Sequence, residues 1–126
     1  MRPWRWLAVT AAVSGLAAVI LAALGAHAIP FPDAGSARLW DTALEMHLFH
    51  TVAMLGTAAI AMRRSLSPLA YGGLVMALGT ALFSGSLYVR AAGVYWFPAF
   101  LAPAGGMLQI AAWAWLAATL FRCGRD

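Results

Sequence analysis

Residues 66–89 read Leu66-Ser67-Pro68-Leu69-Ala70-Tyr71-Gly72-Gly73-Leu74-Val75-Met76-Ala77-Leu78-Gly79-Thr80-Ala81-Leu82-Phe83-Ser84-Gly85-Ser86-Leu87-Tyr88-Val89, with no Asp, Glu, Lys, Arg or His among them. At 1.5 Å per residue a helix of this length crosses the ~30 Å hydrocarbon core of a bilayer. Lipid offers the backbone no hydrogen-bonding partners, so such a run must be helical. Its neighbours repeat the pattern. Upstream, Leu39–Met62 carries Asp41, Glu45, His47 and His50 in its first half, and Trp6–Ala28 contains His27 as its only ionisable group. Downstream, Phe97–Phe121 is uncharged and holds Gln109. These runs predict an all-α polytopic membrane protein: one transmembrane domain over residues 1–126, an antiparallel four-helix bundle with spans at about 6–28, 39–62, 66–89 and 97–121.

The composition agrees. Hydrophobic residues make up 63% of the 126 and charged residues 10%, against about 45–50% and about 25% in soluble domains. A disordered chain lacks the apolar residues to collapse, and a small soluble domain has too much surface to hide so many. The net charge of +4 does not point to nucleic acid, because no basic stripe follows a phosphate backbone. The Arg residues cluster at the ends of the apolar runs instead. Arg2, Arg5, Arg63, Arg64, Arg122 and Arg125 fall at the end that carries both termini, with Asp126, while Arg38 and Arg90 fall at the other end, near Asp33 and Asp41. By the positive-inside rule both termini are cytoplasmic, and in a bacterium the opposite face is periplasmic. The first run, with Arg2 and Arg5 before it and Ala26-His27-Ala28 after it, has some features of a cleaved signal peptide. At about 20 residues its apolar stretch exceeds the usual 7–15, and it is expected to be retained.

The connections are short. Pro30 to Ser36 has turn composition, Ser65 or Ser67 is a candidate N-cap for the third helix, and Pro98 or Pro103 suits the first turn of the fourth. Several of Trp4, Trp6, Trp40, Tyr95, Trp96, Trp113 and Trp115 lie near run ends, where amphipathic rings favour the interface. Lipid removes the hydrophobic drive between helices, so small residues must let them approach. Gly25, Gly73, Gly85, Gly105 and Gly106 are the expected packing positions. Cys123 is single and forms no internal disulfide.

Ionisable residues inside spans are costly and are functional candidates by default. Asp41 and Glu45 share one helix face and His47 and His50 another, while Glu45 and His50 diverge by about 140°. Depth brings His27, Glu45, His50, Ser84 and Gln109, with Ser86 and Tyr88, toward one half of the bundle. The expectation is a polar pocket near the periplasmic side that binds a small ligand or a protein partner. Three readings stay open: a structural hydrogen-bond network; a copper or haem site using His27, His47, His50 and Met54; and small-molecule or proton handling by Glu45 with a histidine. A small oligomeric transporter is a further alternative. No phosphate loop, nucleophile elbow, C-x-x-C or H-E-x-x-H motif is present, so catalysis is not expected and the identity of any cofactor is left open.

The segments Leu24-Gly25-Ala26-His27-Ala28, Trp40-Asp41-Thr42-Ala43-Leu44-Glu45-Met46-His47-Leu48-Phe49-His50, Gly79-Thr80-Ala81-Leu82-Phe83-Ser84-Gly85-Ser86-Leu87-Tyr88 and Ala102-Pro103-Ala104-Gly105-Gly106 occur in that order. Together they resemble the family of small membrane proteins called domain of unknown function 423, which takes in YgdD-like and transmembrane protein 256-like chains. The resemblance covers nearly the whole sequence. It implies a multi-pass protein of the bacterial inner membrane or an equivalent membrane, and carries no activity, substrate or catalytic residues with it. Its motifs fall on His27, His50, Ser84, Gly85 and Gly105-Gly106, and His47 is a less constant part of the pattern.

Overall fold

The computed structural model describes residues 2–123, so Arg125 and Asp126 of the charge asymmetry lie outside it. It consists of four helices: α1 (Pro3–His27), α2 (Ala34–Arg64), α3 (Ser67–Ala91) and α4 (Leu101–Cys123). All four are long and apolar enough to span a membrane.

Local chemistry sets their ends. Helix α1 starts with Pro3 in its first turn, where the missing N–H costs nothing. Helix α2 begins five residues before the apolar run because Asp33 caps it, its Oδ1 accepting from the Ser36 N–H at 2.7 Å. At its other end Ser65 adopts the left-handed conformation (φ 54°, ψ 34°), and the N–H groups of Ser65 and Leu66 both close on the Ala61 carbonyl. Ser65 is therefore a C-terminal residue of α2, and neither it nor Ser67 caps α3. The N-cap there is Leu66, without a side-chain bond, and Pro68 sits in the first turn. Gly93 follows α3 at φ +92°, which only glycine adopts cheaply. Residues 97–100, expected within the fourth span, form turns outside it, and Pro103 rather than Pro98 occupies the first turn of α4.

Consecutive helices are antiparallel neighbours, but the bundle is centred on one of them. Helix α3 packs against each of the others and α1 also packs along α2, whereas α4 makes no close backbone approach to α1 or α2. The α2–α3 hairpin thus has two flanks, one covered by α1 and the other by α4. Near the end carrying the termini the core is Leu7, Met54, Leu69, Met76 and Leu116; near the loop end it is Trp40, Ala43, Leu87 and Tyr88.

Glycines let the helices close. A Cβ on Gly79 would lie 2.9 Å from the Gly105 carbonyl oxygen, and one on Gly105 would lie 2.7 Å from the Gly79 oxygen and collide with the Phe83 backbone. Helices α3 and α4 therefore cross backbone to backbone. Gly73 makes room for Leu7 and Gly25 for the Trp40 ring. Trp40 is 4% exposed and its indole N–H donates to the Leu21 carbonyl, so it locks α1 to α2 instead of lying at the interface. Two expected packing positions differ. A Cβ on Gly85 would meet nothing within 4 Å, and one on Gly106 would make only ordinary contact with the Phe83 ring. Gly72 and Gly79, which face α4, are the packing glycines that the sequence pattern left out.

Candidate functional site

The polar residues of the spans sort between the two flanks. On the α1 side, His47 Nε2 lies 2.9 Å from Ser14 Oγ and Nδ1 lies 3.2 Å from the Tyr88 hydroxyl, while Ser14 Oγ is 2.6 Å from Thr51 Oγ1. A neutral imidazole satisfies both ring bonds in either direction: Tyr88 O–H donates to one nitrogen and the other N–H donates to Ser14, or the reverse. The result is a four-member chain, Tyr88–His47–Ser14–Thr51, that ties α1, α2 and α3 together.

On the α4 side, His50 Nδ1–H donates to the Met46 carbonyl at 2.8 Å, and Nε2 accepts from the Trp113 indole N–H at 3.3 Å. The Gln109 amide nitrogen, 3.4 Å from both Thr80 Oγ1 and His50 Nδ1, donates to the hydroxyl, since the ring nitrogen beside it already bears a proton. His50 is 2% exposed and Gln109 3%. His47 and His50, three residues apart, share a face of α2, yet His47 reaches α1 and α3 while His50 reaches α4.

Beside the His47 chain lies a cavity of about 290 Å³ between α1, α2 and α3. Thr10, Ser14, His47, Thr80, Ser84 and Tyr88 supply its polar wall, and Val13, Ala17, Leu21, Met54, Ala77, Ala81 and Gly85 complete it. Ser84 is 1% exposed, and its hydroxyl has no hydrogen-bond partner. Comparable hydroxyls in these helices bond back to their own backbone: Thr57 to the Ala53 carbonyl, Thr80 to Met76 and Ser86 to Phe83. An orphaned buried hydroxyl costs about 1–3 kcal/mol.

The pocket expected from His27, Glu45, His50, Ser84 and Gln109 is therefore dispersed. His50 and Gln109 meet on the α4 flank and Ser84 lines the cavity on the α1 flank. His27 is exposed at the end of α1, and Glu45, with Asp41, is exposed on the outer face of α2. The four donors of the metal reading are no closer to a site. Met54 and His47 border the cavity, His50 faces α4 and His27 is apart. Among the described residues no group of three or more His, Cys, Asp or Glu side chains is arranged to hold a metal ion. Ser14 and Thr51 belong to the site but were not singled out from the sequence. The available signal was that a hydroxyl within a span must find a partner on its own or an adjacent helix.

Four apolar helices around a sparse, mostly satisfied polar interior define a small multi-pass membrane protein. The comparisons with known proteins narrow this class. The chain belongs to the family described as "Protein of unknown function (DUF423)", whose model matches residues 21–106. It is 43% identical over 112 residues to the UPF0382 inner membrane protein YgdD of Escherichia coli (strain K12), covering 87% of this chain and 85% of that one. The UPF0382 membrane protein of Haemophilus influenzae is 36% identical over 115 residues, covering 88% and 90%. The UPF0382 membrane protein YwdK of Bacillus subtilis is 31% identical over 105 residues, covering 81% and 85%. No solved structure matches the chain significantly.

Proposed function

We propose that this protein is a non-catalytic binding protein of the bacterial inner membrane, which holds a small membrane-soluble molecule in the cavity between α1, α2 and α3. The observation that carries the reading is Ser84, a residue of the cavity wall whose buried hydroxyl has no partner. Cavities that need no occupant are apolar, whereas polar groups left open inside a protein call for a water or ligand. The groove on the other flank makes the contrast. It encloses about 370 Å³ between α2 and α4, and its single hydroxyl, Thr57, is already bonded to Ala53.

The reading is tested by purifying the full chain in mild detergent, extracting it with organic solvent and identifying bound small molecules by mass spectrometry. The wild-type chain should retain a compound that Ala77→Phe, which fills the cavity, loses. Equal content in both would sink the reading.

The orientation that goes with it has both termini in the cytoplasm. Arg2, Arg5, Arg63, Arg64 and Arg122 support it, all of them exposed at the terminal end against Arg38 and Arg90 at the other. Labelling of Cys123 by a membrane-impermeant thiol reagent applied from the periplasm would reverse this assignment.

A further inference from the structure

We infer that the occupant is a neutral, single-chain amphiphile that enters sideways from the bilayer, places a carbonyl or hydroxyl oxygen against Ser84 and lays its chain in the groove between α1 and α3. The inference rests on the binding reading above and adds the chemical class and the route.

Charge comes first. None of the lining residues is Asp, Glu, Lys or Arg. An ion placed there would lose its hydration with nothing to compensate it, so the occupant is neutral. The polar inventory then limits the head. Both ring nitrogens of His47 are engaged by Ser14 and Tyr88, Ser14 also contacts Thr51, and Thr80 donates to Met76. Among the buried lining groups Ser84 alone offers an uncommitted O–H, and the half-buried Thr10 hydroxyl lies at the opposite end of the groove. One open donor matches one acceptor oxygen, and a hydroxyl-headed molecule adds a donor that Ser84 Oγ can accept.

Shape limits the body. The lining runs from Thr10 to Leu21 on α1 and from Ala77 to Tyr88 on α3, a length of about 16 Å along each helix. A groove of that length and about 290 Å³ accommodates one extended hydrocarbon chain. The rim fixes the route. Val13 on α1 and Ala81 on α3 are exposed lining residues. Both lie well inside spans, so the mouth opens onto acyl chains and not onto water. Tyr88, His47 and Ser84 sit toward the loop end of the groove, which sets the head there and the tail toward Thr10 and Met54.

The test uses the full chain in phosphatidylcholine nanodiscs, labelled with a diazirine analogue of 1-dodecanol. Competitors are 1-dodecanol, 2-dodecanone, dodecanoate and dodecylammonium at matched membrane mole fraction. Labelling is expected on peptides holding residues 10–21 and 77–88. The two neutral competitors should displace it at about tenfold lower mole fraction than the two ions, one decade being the loss of a single ion-sized penalty much reduced by water penetration. Ser84→Ala should weaken displacement by the ketone about five- to tenfold, the worth of one hydrogen bond, without lowering the melting temperature. Ala81→Phe, and separately Val13→Phe at the opposite rim, should each abolish labelling while the chain stays monodisperse. If the label lands in the cavity but neutral and charged competitors act equally, or Ser84→Ala changes nothing, the class assigned here is wrong while the cavity still binds. If the label falls elsewhere, or survives both rim variants, the binding reading fails and this inference with it.

Discussion

The two flanks of the α2–α3 hairpin are built on different terms. On the α4 side, helices meet through the reciprocal approach of Gly79 and Gly105, and the polar groups of His50, Gln109, Trp113 and Thr80 are paired with one another or with the Met46 and Met76 carbonyls. On the α1 side, contact runs through the His47–Ser14–Thr51 chain and the Trp40 indole, with a cavity left open next to an unpaired serine. The α4 flank also has grooves, but the polar groups beside them are already paired and suit a fixed joint, whereas space beside an open donor suits an occupant. A bundle without a hydrophobic drive between its helices can keep such a space only if other contacts hold it together. The α4 flank supplies that fixity.

The comparison breaks most easily at Gly105. Gly105→Leu would force a side chain into the Phe83 backbone, which cannot yield as a flexible side-chain tip can. It should cost about 3 kcal/mol or more, read as a loss of thermal stability in detergent. A wild-type melt would remove the fixed joint from the account. Next come the two histidines. His50→Leu strands the Trp113 N–H and deprives the Met46 carbonyl of its extra donor, at a cost of about 1–3 kcal/mol. His47→Leu should cost less, about 1 kcal/mol, since Ser14 keeps Thr51 and only Tyr88 loses its partner. Thermal melts of the two variants side by side would reverse the assignment of flanks if His47→Leu proved the more damaging.

These histidines also mark how far the sequence can be read. Four spans were legible because the cost of an unsatisfied backbone in lipid leaves runs such as Leu66–Val89 only one conformation. The helix ends were less so, since Asp33 extends α2 by capping it and Ser65 ends it by turning left-handed, both decided by a few local bonds. The site was legible only as a set of residue types. A period of 3.6 gives the angle between His47 and His50, but the rotation of α2 against its neighbours decides which helix each one meets. Close packing helps to set that rotation, as where Gly25 of α1 makes room for the Trp40 ring of α2. Glu45 was drawn into the expected pocket by depth alone, although its direction points it out of the bundle. Ser14 escaped notice because a single serine in an apolar run looks the same whether or not it has a partner.

Ser84→Ala sharpens the comparison with an effect of opposite sign. Removing a buried hydroxyl that bonds nothing should raise stability by about 1–2 kcal/mol, seen as a higher melting temperature of the ligand-free chain. Thr80→Val, which strips a paired hydroxyl and leaves Gln109 without its acceptor, should lower it. A residue that destabilises its own fold is retained when it serves something besides the fold. A lower melting temperature for Ser84→Ala would mean that the hydroxyl is bonded after all, and the cavity would lose its open donor.

The smallest expected effect compares one substitution on both flanks. Gly85 and Gly105 look alike in sequence, each a glycine within an apolar helix. Yet a Cβ at Gly85 meets nothing within 4 Å, whereas one at Gly105 meets backbone. Gly85→Ala should therefore be neutral or gain up to ~1 kcal/mol from helix propensity, while Gly105→Ala loses stability. Because Gly85 lines the cavity, the added methyl should also trim its volume and weaken binding of a snug chain without touching any hydrogen bond. A stability loss at Gly85 to match that at Gly105 would mean that α1 closes onto α3 there, with no groove between them to fill.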